Sequence, residues 1–243
     1  MRVGDDVVDL DDPCVATSHA RPRFVERVCC ESERAMLGAS GDPKTLLWQL
    51  FAAKEAAFKI VAKAGPQPPF AHRRFVVMPD LRSVSYDGLA FELRVAVEGA
   101  CVHAVAWTGA GTPLAGHGIV ETGATPGDDA RRRLCEAVAR GLGWGRECLA
   151  VVRAPAPGSW DGFGPPVLLR DGQTSGVDVS LTHDGRFVGF AAGVGMGAVI
   201  PGYGSATPRL RDRDPRQPAF FAVRTARGAC HAVDRLRPER LDT

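Results

Sequence analysis

Trp48–Lys59 reads WQLFAAKEAAFK. It holds no Gly or Pro and consists mostly of Ala, Leu, Gln, Lys and Glu, which give up little freedom on coiling, so a helix is expected. Leu47, Leu50, Phe51, Ala57, Phe58 and Val61 recur at three- and four-residue steps and define one apolar face. Glu55 and Lys59 lie one turn apart on a neighbouring stripe shared with Trp48 and Ala52. An acid and a base therefore stand side by side at the margin of a buried face. Read alone, that spacing fits an ordinary solvated ion pair as well as it fits a site.

Upstream of this helix, Gly41, Asp42 and Pro43 break the chain. Arg23–Leu37 (RFVERVCCESERAML) reads as a single helix with Phe24, Val28 and Cys29 inward and Arg23 and Arg27 one turn apart on a basic stripe. Met1–Leu10 (MRVGDDVVDL) is a strand or a lead-in to a helix, with Gly4 as a break that could turn Asp6 inward. Asp9, Asp11 and Asp12 suit a turn or a helix N-cap before Pro13. Downstream, Gly65–Pro69 (GPQPP) stops the helix. The segments RRFVVM, SVSY, AFELRVAVEG, CVHAVAWT and GHGIVE between residues 73 and 121 are rich in β-branched and aromatic residues and read as strands. His103 falls within an apolar strand and reads as a core or edge histidine.

The same order then recurs. Gly123–Asp129 (GATPGDD) is a linker. A helix follows from Ala130 to Leu142, capped by Asp128 or Asp129 and stopped by Gly143. LAVVRAP, PPVLLR, VDVSLTH and RFVGFAAGV are further strands, and Asp184-Gly185 marks a hairpin turn. Strands with helices in segregated order predict an α+β fold, here a pseudo-dimer of two similar halves, each a helix packed on a small antiparallel sheet. The expected units are residues 1–122, 123–198 and a Pro- and Arg-rich C-terminal tail, 199–243. Ala219–Val223 (AFFAV) could add a short strand to that tail.

Composition narrows the function classes. Of 243 residues, 45% are hydrophobic, enough for a substantial core. The net charge of +2 argues against bulk binding to nucleic acid or membrane. Nine Arg against five acids in residues 201–243 give the tail a surplus of +4, so the rest of the chain is slightly acidic. The seven Cys follow no metal-site spacing and are expected as reduced thiols in a cytoplasmic protein. No leader-like start and no run of roughly 20 apolar residues is found.

Three motifs resemble those of the 4′-phosphopantetheinyl transferases: G-x-D at Gly4, Asp5 and Asp6; F-A-A-K-E-A-x-x-K from Phe51 to Lys59; and G-x-P with S-x-T-H between Gly164 and His183. Their order is similar to that of the small holo-acyl-carrier-protein synthases, while the chain length is similar to that of the two-half enzymes. The resemblance covers about residues 1 to 195, and K-E-A-x-x-K is its most specific part. It implies transfer of 4′-phosphopantetheine from coenzyme A to a serine of an acyl or peptidyl carrier protein, with release of adenosine 3′,5′-bisphosphate.

The resemblance also implies roles. Asp6 and Glu55 match the family's metal ligands, for Mg²⁺ with Mn²⁺ as a substitute. Two carboxylates are the number and type that Mg²⁺ takes beside substrate phosphates. Lys59 matches the motif's second lysine, beside the phosphates, and Lys54 its first. Thr182 and His183 match the Ser-His pair that meets coenzyme A phosphate. Gly164 and Pro166 match a Gly-Lys-Pro motif near the adenine. Pro165 replaces that lysine, so Arg170 or another basic residue is expected to supply the missing contact. Val8 stands where the two-half enzymes have a third carboxylate. Carrier proteins are acidic and helical, and Arg21, Arg23 and Arg27 are the expected docking surface. The alternative is a catalytically degenerate member that binds carrier protein or coenzyme A. A chain containing both halves needs no second copy, so a monomer is expected.

Overall fold

The computed structural model describes residues 1–64, 71–157 and 162–194. The expected tail, including Ala219–Val223, lies outside them. The chain begins with strand β1 (Arg2–Asp9), followed by helices α1 (Pro13–Ala16), α2 (Pro22–Val28), α3 (Glu31–Ala39) and α4 (Pro43–Ala64). Strands β2 (Val76–Val77), β3 (Ser83–Tyr86), β4 (Leu89–Glu98), β5 (Cys101–Thr108) and β6 (Leu114–Ile119) follow. Helix α5 (Pro126–Leu142) precedes β7 (Leu149–Pro155), β8 (Phe163–Arg170), β9 (Gln173–Asp184) and β10 (Phe187–Gly193).

Two five-stranded antiparallel sheets result, ordered β1-β5-β4-β3-β2 and β6-β10-β9-β8-β7. The orders are equivalent: each unit is a strand, a helical segment (four helices in the first unit, one in the second), then a four-strand meander whose last strand pairs with the first. The α+β pseudo-dimer is thus a topological fact. β6 belongs to the second sheet, so the chain crosses between Thr108 and Leu114, before the linker at 123–129 that sequence reading took as the boundary.

Each helix covers one sheet. Helix α4 packs on β1 and β5, and its Leu47, Leu50, Ala52, Ala53, Ala56 and Ala57 are fully buried. Helices α2 and α3 lie against it, contributing Val28 and Leu37 to the same core. They are separate helices, divided at Cys29–Cys30, because Glu33 reaches back to accept from the Cys30 N–H and begins a new helix there. Helix α5 buries Leu134 and Val138 against β9 and β10. Thr125, rather than either Asp, caps it, and Gly143 closes it in the left-handed conformation.

β1 is an unbroken strand through Gly4 and an edge of the first sheet. Its outward N–H groups are capped by side chains of β9: Val3 by Asp178 (2.7 Å), Asp5 by Ser180 (3.1 Å), Val7 by Thr182 (3.3 Å) and Asp9 by Asp184 (3.0 Å). Small apolar contacts flank this seam, Val3 with Val105 and Ala191, and Val7 with Cys101 and Phe187. Lys63 of α4 ties three elements by donating to the Val3 and Val179 carbonyls and to Asp178. At the far end Arg186 grips Asp9 with two donors, at 2.8 and 2.7 Å. Asp9 is thus an inter-half contact, while Asp12 caps α1.

Among the described residues no helix is long and apolar enough to cross a membrane. Cys14 is disulfide-bonded, against the expectation of reduced thiols, whereas Cys29, Cys30, Cys101, Cys135 and Cys148 are free.

The Asp9 clasp carries a pH dependence. Burial works to raise the Asp9 pKa, but the hydrogen bonds from Arg186 and Asp11 outweigh it and hold the carboxyl below its usual value. A depressed acid contributes stability that is present above the unfolded value of about 3.9 and is lost as pH falls through the folded one. Arg186→Gln is expected to move the onset of acid unfolding to higher pH. Circular dichroism along an acid titration would record it.

Candidate functional site

The site forms where α4 crosses β1 beside β9. Gly4 allows the crossing: a Cβ there would lie 2.0 Å from the Ala56 carbonyl oxygen. Its role is close approach of strand and helix, not the backbone break suggested by sequence. Alternation along β1 then turns Asp6 toward α4 and Asp5 toward the second sheet. Lys59, one turn beyond Glu55 and one residue-row from Gly4, reaches both. Its ammonium donates to the Asp5 carbonyl (2.5 Å) and to Asp6 Oδ1 (3.2 Å). Thr182 donates to the same Asp6 oxygen at 3.1 Å while accepting from the Val7 N–H. Asp6 is therefore held from both halves of the chain.

Charged groups gather around Lys59. Burial disfavours the ammonium, but the charges of Asp6, Asp5 and Glu55 outweigh it and raise its pKa above the usual lysine value. Lys59 is a fixed cation among three carboxylates. Glu55 is largely buried, its Oε1 3.7 Å from His72 Nε2. Burial pushes the His183 pKa down, and Lys59 and Arg131 push it further, with only Asp184 opposing. His183 shares the face of β9 that carries Val179 and Leu181, opposite Thr182. Lys59 thus feels three carboxylates, and His183 in turn feels the charges of Lys59 and Arg131. Sequence reading missed Arg131 because one Arg in an Arg-Arg-Arg run on an amphipathic helix carries no signal of its own.

The other residues named from sequence divide. Gly164 and Pro166 open β8, next to β9, and continuing the Val167–Asp178 register brings Gly164 abreast of Leu181. Arg153 of β7 donates to the carbonyls of Gly164 (2.7 Å) and Phe163 (3.3 Å), so a cation does stand at this motif. Arg170 does not: it pairs with Gln173 at the opposite end of β8 and lies over the Trp144 ring. Gln173 to Thr182 spans on the order of 30 Å of strand.

Lys54 is a correction. Its side chain is fully buried, and its three protons go to Val28 O (2.9 Å), Glu33 Oε2 (2.6 Å) and His72 O (3.1 Å). Glu33 is equally committed, accepting from the Cys30 and Val77 N–H groups. Lys54 holds α2, α3 and the 72–74 turn onto α4 and has no donor left for a ligand.

Among the described residues no group of three or more His, Cys, Asp or Glu side chains is arranged to hold a metal ion. Any cation here would have few protein ligands, with Asp6 and Glu55 as the available oxygens. That donor set suits a hard cation that keeps water and substrate oxygens.

Two changes test this architecture. Lys54→Met leaves the Glu33 carboxylate buried without its cation and is expected to cost about 3–5 kcal/mol in urea unfolding. Gly4→Ala is expected to cost about 1–3 kcal/mol, because α4 must move off β1 to admit the methyl group.

Comparison with known proteins bears on residues at this site. Residues 2–85 match the model of the 4′-phosphopantetheinyl transferase superfamily. That span contains Gly4, Asp6, Glu55 and Lys59. Curated proteins give no match. Among solved structures the chain is similar to the Thermotoga maritima holo-[acyl-carrier-protein] synthase, at 14% identity, over 72% of this chain and 84% of that one, with a TM-score of 0.30. The similarity to the 4′-phosphopantetheinyl transferase superfamily thus rests on residues 2–85, about a third of the chain.

Proposed function

We propose that the chain transfers 4′-phosphopantetheine from coenzyme A to a serine hydroxyl of an acyl or peptidyl carrier protein. The observation that carries this reading is the cluster of Lys59 with Asp6 and Glu55, tied by Thr182 to the strand that bears His183. A diphosphate being cleaved needs positive charge along its phosphates and a carboxylate-held cation at the reacting phosphoryl group. Here Lys59 and Arg131 offer the first, with His183 as a neutral ring N–H donor, and Asp6 and Glu55 are suited to the second.

In the reaction the serine oxygen bonds to phosphorus, and the bond from that phosphorus to the oxygen of the departing adenosine 3′,5′-bisphosphate breaks. The serine proton leaves to a base, and Glu55 is the carboxylate assigned here, acting directly or through water. Lys59 stays protonated because three carboxylates surround it, so it stabilises charge on the departing phosphate rather than acting as a base. Thr182 fixes Asp6 in place, joining the acidic half to the half that carries His183. Mg²⁺ held by Asp6 and Glu55 would neutralise diphosphate charge, and Mn²⁺ would serve the same coordination.

The Gly164–Pro166 turn is assigned to the nucleotide end of coenzyme A, with Arg153 in place of a lysine at Pro165. Arg21, Arg23 and Arg27 are exposed around α2 and are assigned to the acidic carrier protein. Both halves of the site come from one chain, which makes a monomer sufficient.

The decisive experiment incubates apo carrier protein with coenzyme A and Mg²⁺ and follows the phosphopantetheine mass increment. Wild type is expected to modify the carrier. Lys59→Ala and Glu55→Gln are each expected to lose about 10²–10³-fold in rate. No modification by wild type overturns the transferase reading, and coenzyme A binding without transfer would identify a degenerate binder. Unchanged carrier-protein affinity after charge reversal at Arg23 and Arg27 would overturn the docking assignment.

A further inference from the structure

A second polar chain crosses between the halves, sharing only Asp5 with the residues used above. It starts at Asp5, which is fully buried, and runs to His103 of β5, whose Nε2 lies 3.4 Å from Asp5 Oδ2. His103 Nδ1 lies 3.2 Å from Nδ1 of His117, which belongs to β6 in the other sheet. His117 Nε2 lies 3.4 Å from Oε2 of Glu98, an exposed residue of β4. Two carboxylates thus close the ends of a chain of two imidazoles.

The protons in this chain can be counted. An ionised carboxylate only accepts, so the Asp5 contact needs a proton on His103 Nε2 and the Glu98 contact one on His117 Nε2. The Nδ1–Nδ1 contact needs one proton, since two would oppose each other and none would leave two lone pairs face to face. Three ring protons complete the chain, and two neutral imidazoles hold two. The chain is complete only when the pair carries one shared positive charge.

We propose that Asp5–His103–His117–Glu98 is a pH-sensitive clasp between the two halves, closed when the two imidazoles share a single positive charge and opened by a second proton. The charged neighbours are few. Asp5 on β1 faces His103, with Lys59 of α4 beside Asp5; Glu98 on β4 faces His117. Strand β10 presents Gly189 opposite His117 and so adds no charge there. Burial and the neighbouring His103 both push the His117 pKa down, and Glu98 only partly offsets them. A base held below its unfolded value of about 6.5 contributes stability that falls away as pH drops below that value, and loss of the shared proton at higher pH opens the chain as well. Acidification from pH 7 therefore loosens this contact between the halves.

The test is a histidine titration of the full chain by NMR, with ring signals assigned by single substitutions. The two rings are expected to titrate as a coupled pair: His117→Asn keeps an amide donor toward His103 but cannot be protonated, and should shift the His103 midpoint on the order of one pH unit. Glu98→Gln lies at the surface and leaves folding intact. It should lower the His117 midpoint, and it decides the question if His117→Asn does not fold. The clasp is overturned if His103 keeps its midpoint in His117→Asn, or if Glu98→Gln leaves the His117 midpoint unmoved. Neither readout depends on catalytic activity.

Discussion

The capping of β1 by side chains of β9 is the constraint on which the rest of the molecule depends. An edge strand leaves every second N–H without a partner, and burying such groups uncapped costs about 1–3 kcal/mol each. Here β9 meets them with Asp178, Ser180, Thr182 and Asp184 at two-residue steps. Because β1 and β9 both repeat every two residues, this match fixes the register of one half against the other. A slip by one residue would bring Val179, Leu181 and His183 to the strand edge instead.

The candidate site inherits its precision from that register. Thr182 is one rung of the ladder and also the donor that holds Asp6. Asp6 faces α4 because β1 is continuous through Gly4, and α4 comes close because Gly4 has no side chain. Gly189 performs a similar service on the opposite side, since a Cβ there would lie 2.8 Å from both Thr182 and Val7. Backbone rigidity in two strands and one helix therefore positions the Lys59 cluster, without help from a loop.

The sequence made some of this legible and hid the rest for identifiable reasons. Helix α4 was plain because its composition and its period agree from Leu47 to Val61, although it begins further upstream, at Pro43. The strands were plain because β-branched residues lie between clear turn signals. The seam was hidden: Asp178, Ser180, Thr182 and Asp184 alternate with apolar residues, a pattern that also describes a strand with one face in water. Lys54 misled because a lysine in a charged motif suggests a ligand, while its full burial depends on Glu33, far away in sequence. The break at Cys29–Cys30 carried a faint sign, a glutamate three residues into the new helix. β6 looked like the last strand of the first meander, and only pairing with β10 assigns it to the second.

The equivalence of the two sheets has a further meaning. The similar halves meet at two equivalent places: β1 packed against β9, and β6 joined to β4 through His117 and Glu98. The first holds the hydroxyl and carboxylates around Lys59; the second holds His117 against Glu98. Duplication followed by divergence would produce this division of labour, one seam keeping chemistry and the other free to become a fastening. The stoichiometry follows: a chain with two similar halves has one candidate centre, whereas an assembly of identical subunits repeats its centre at every seam.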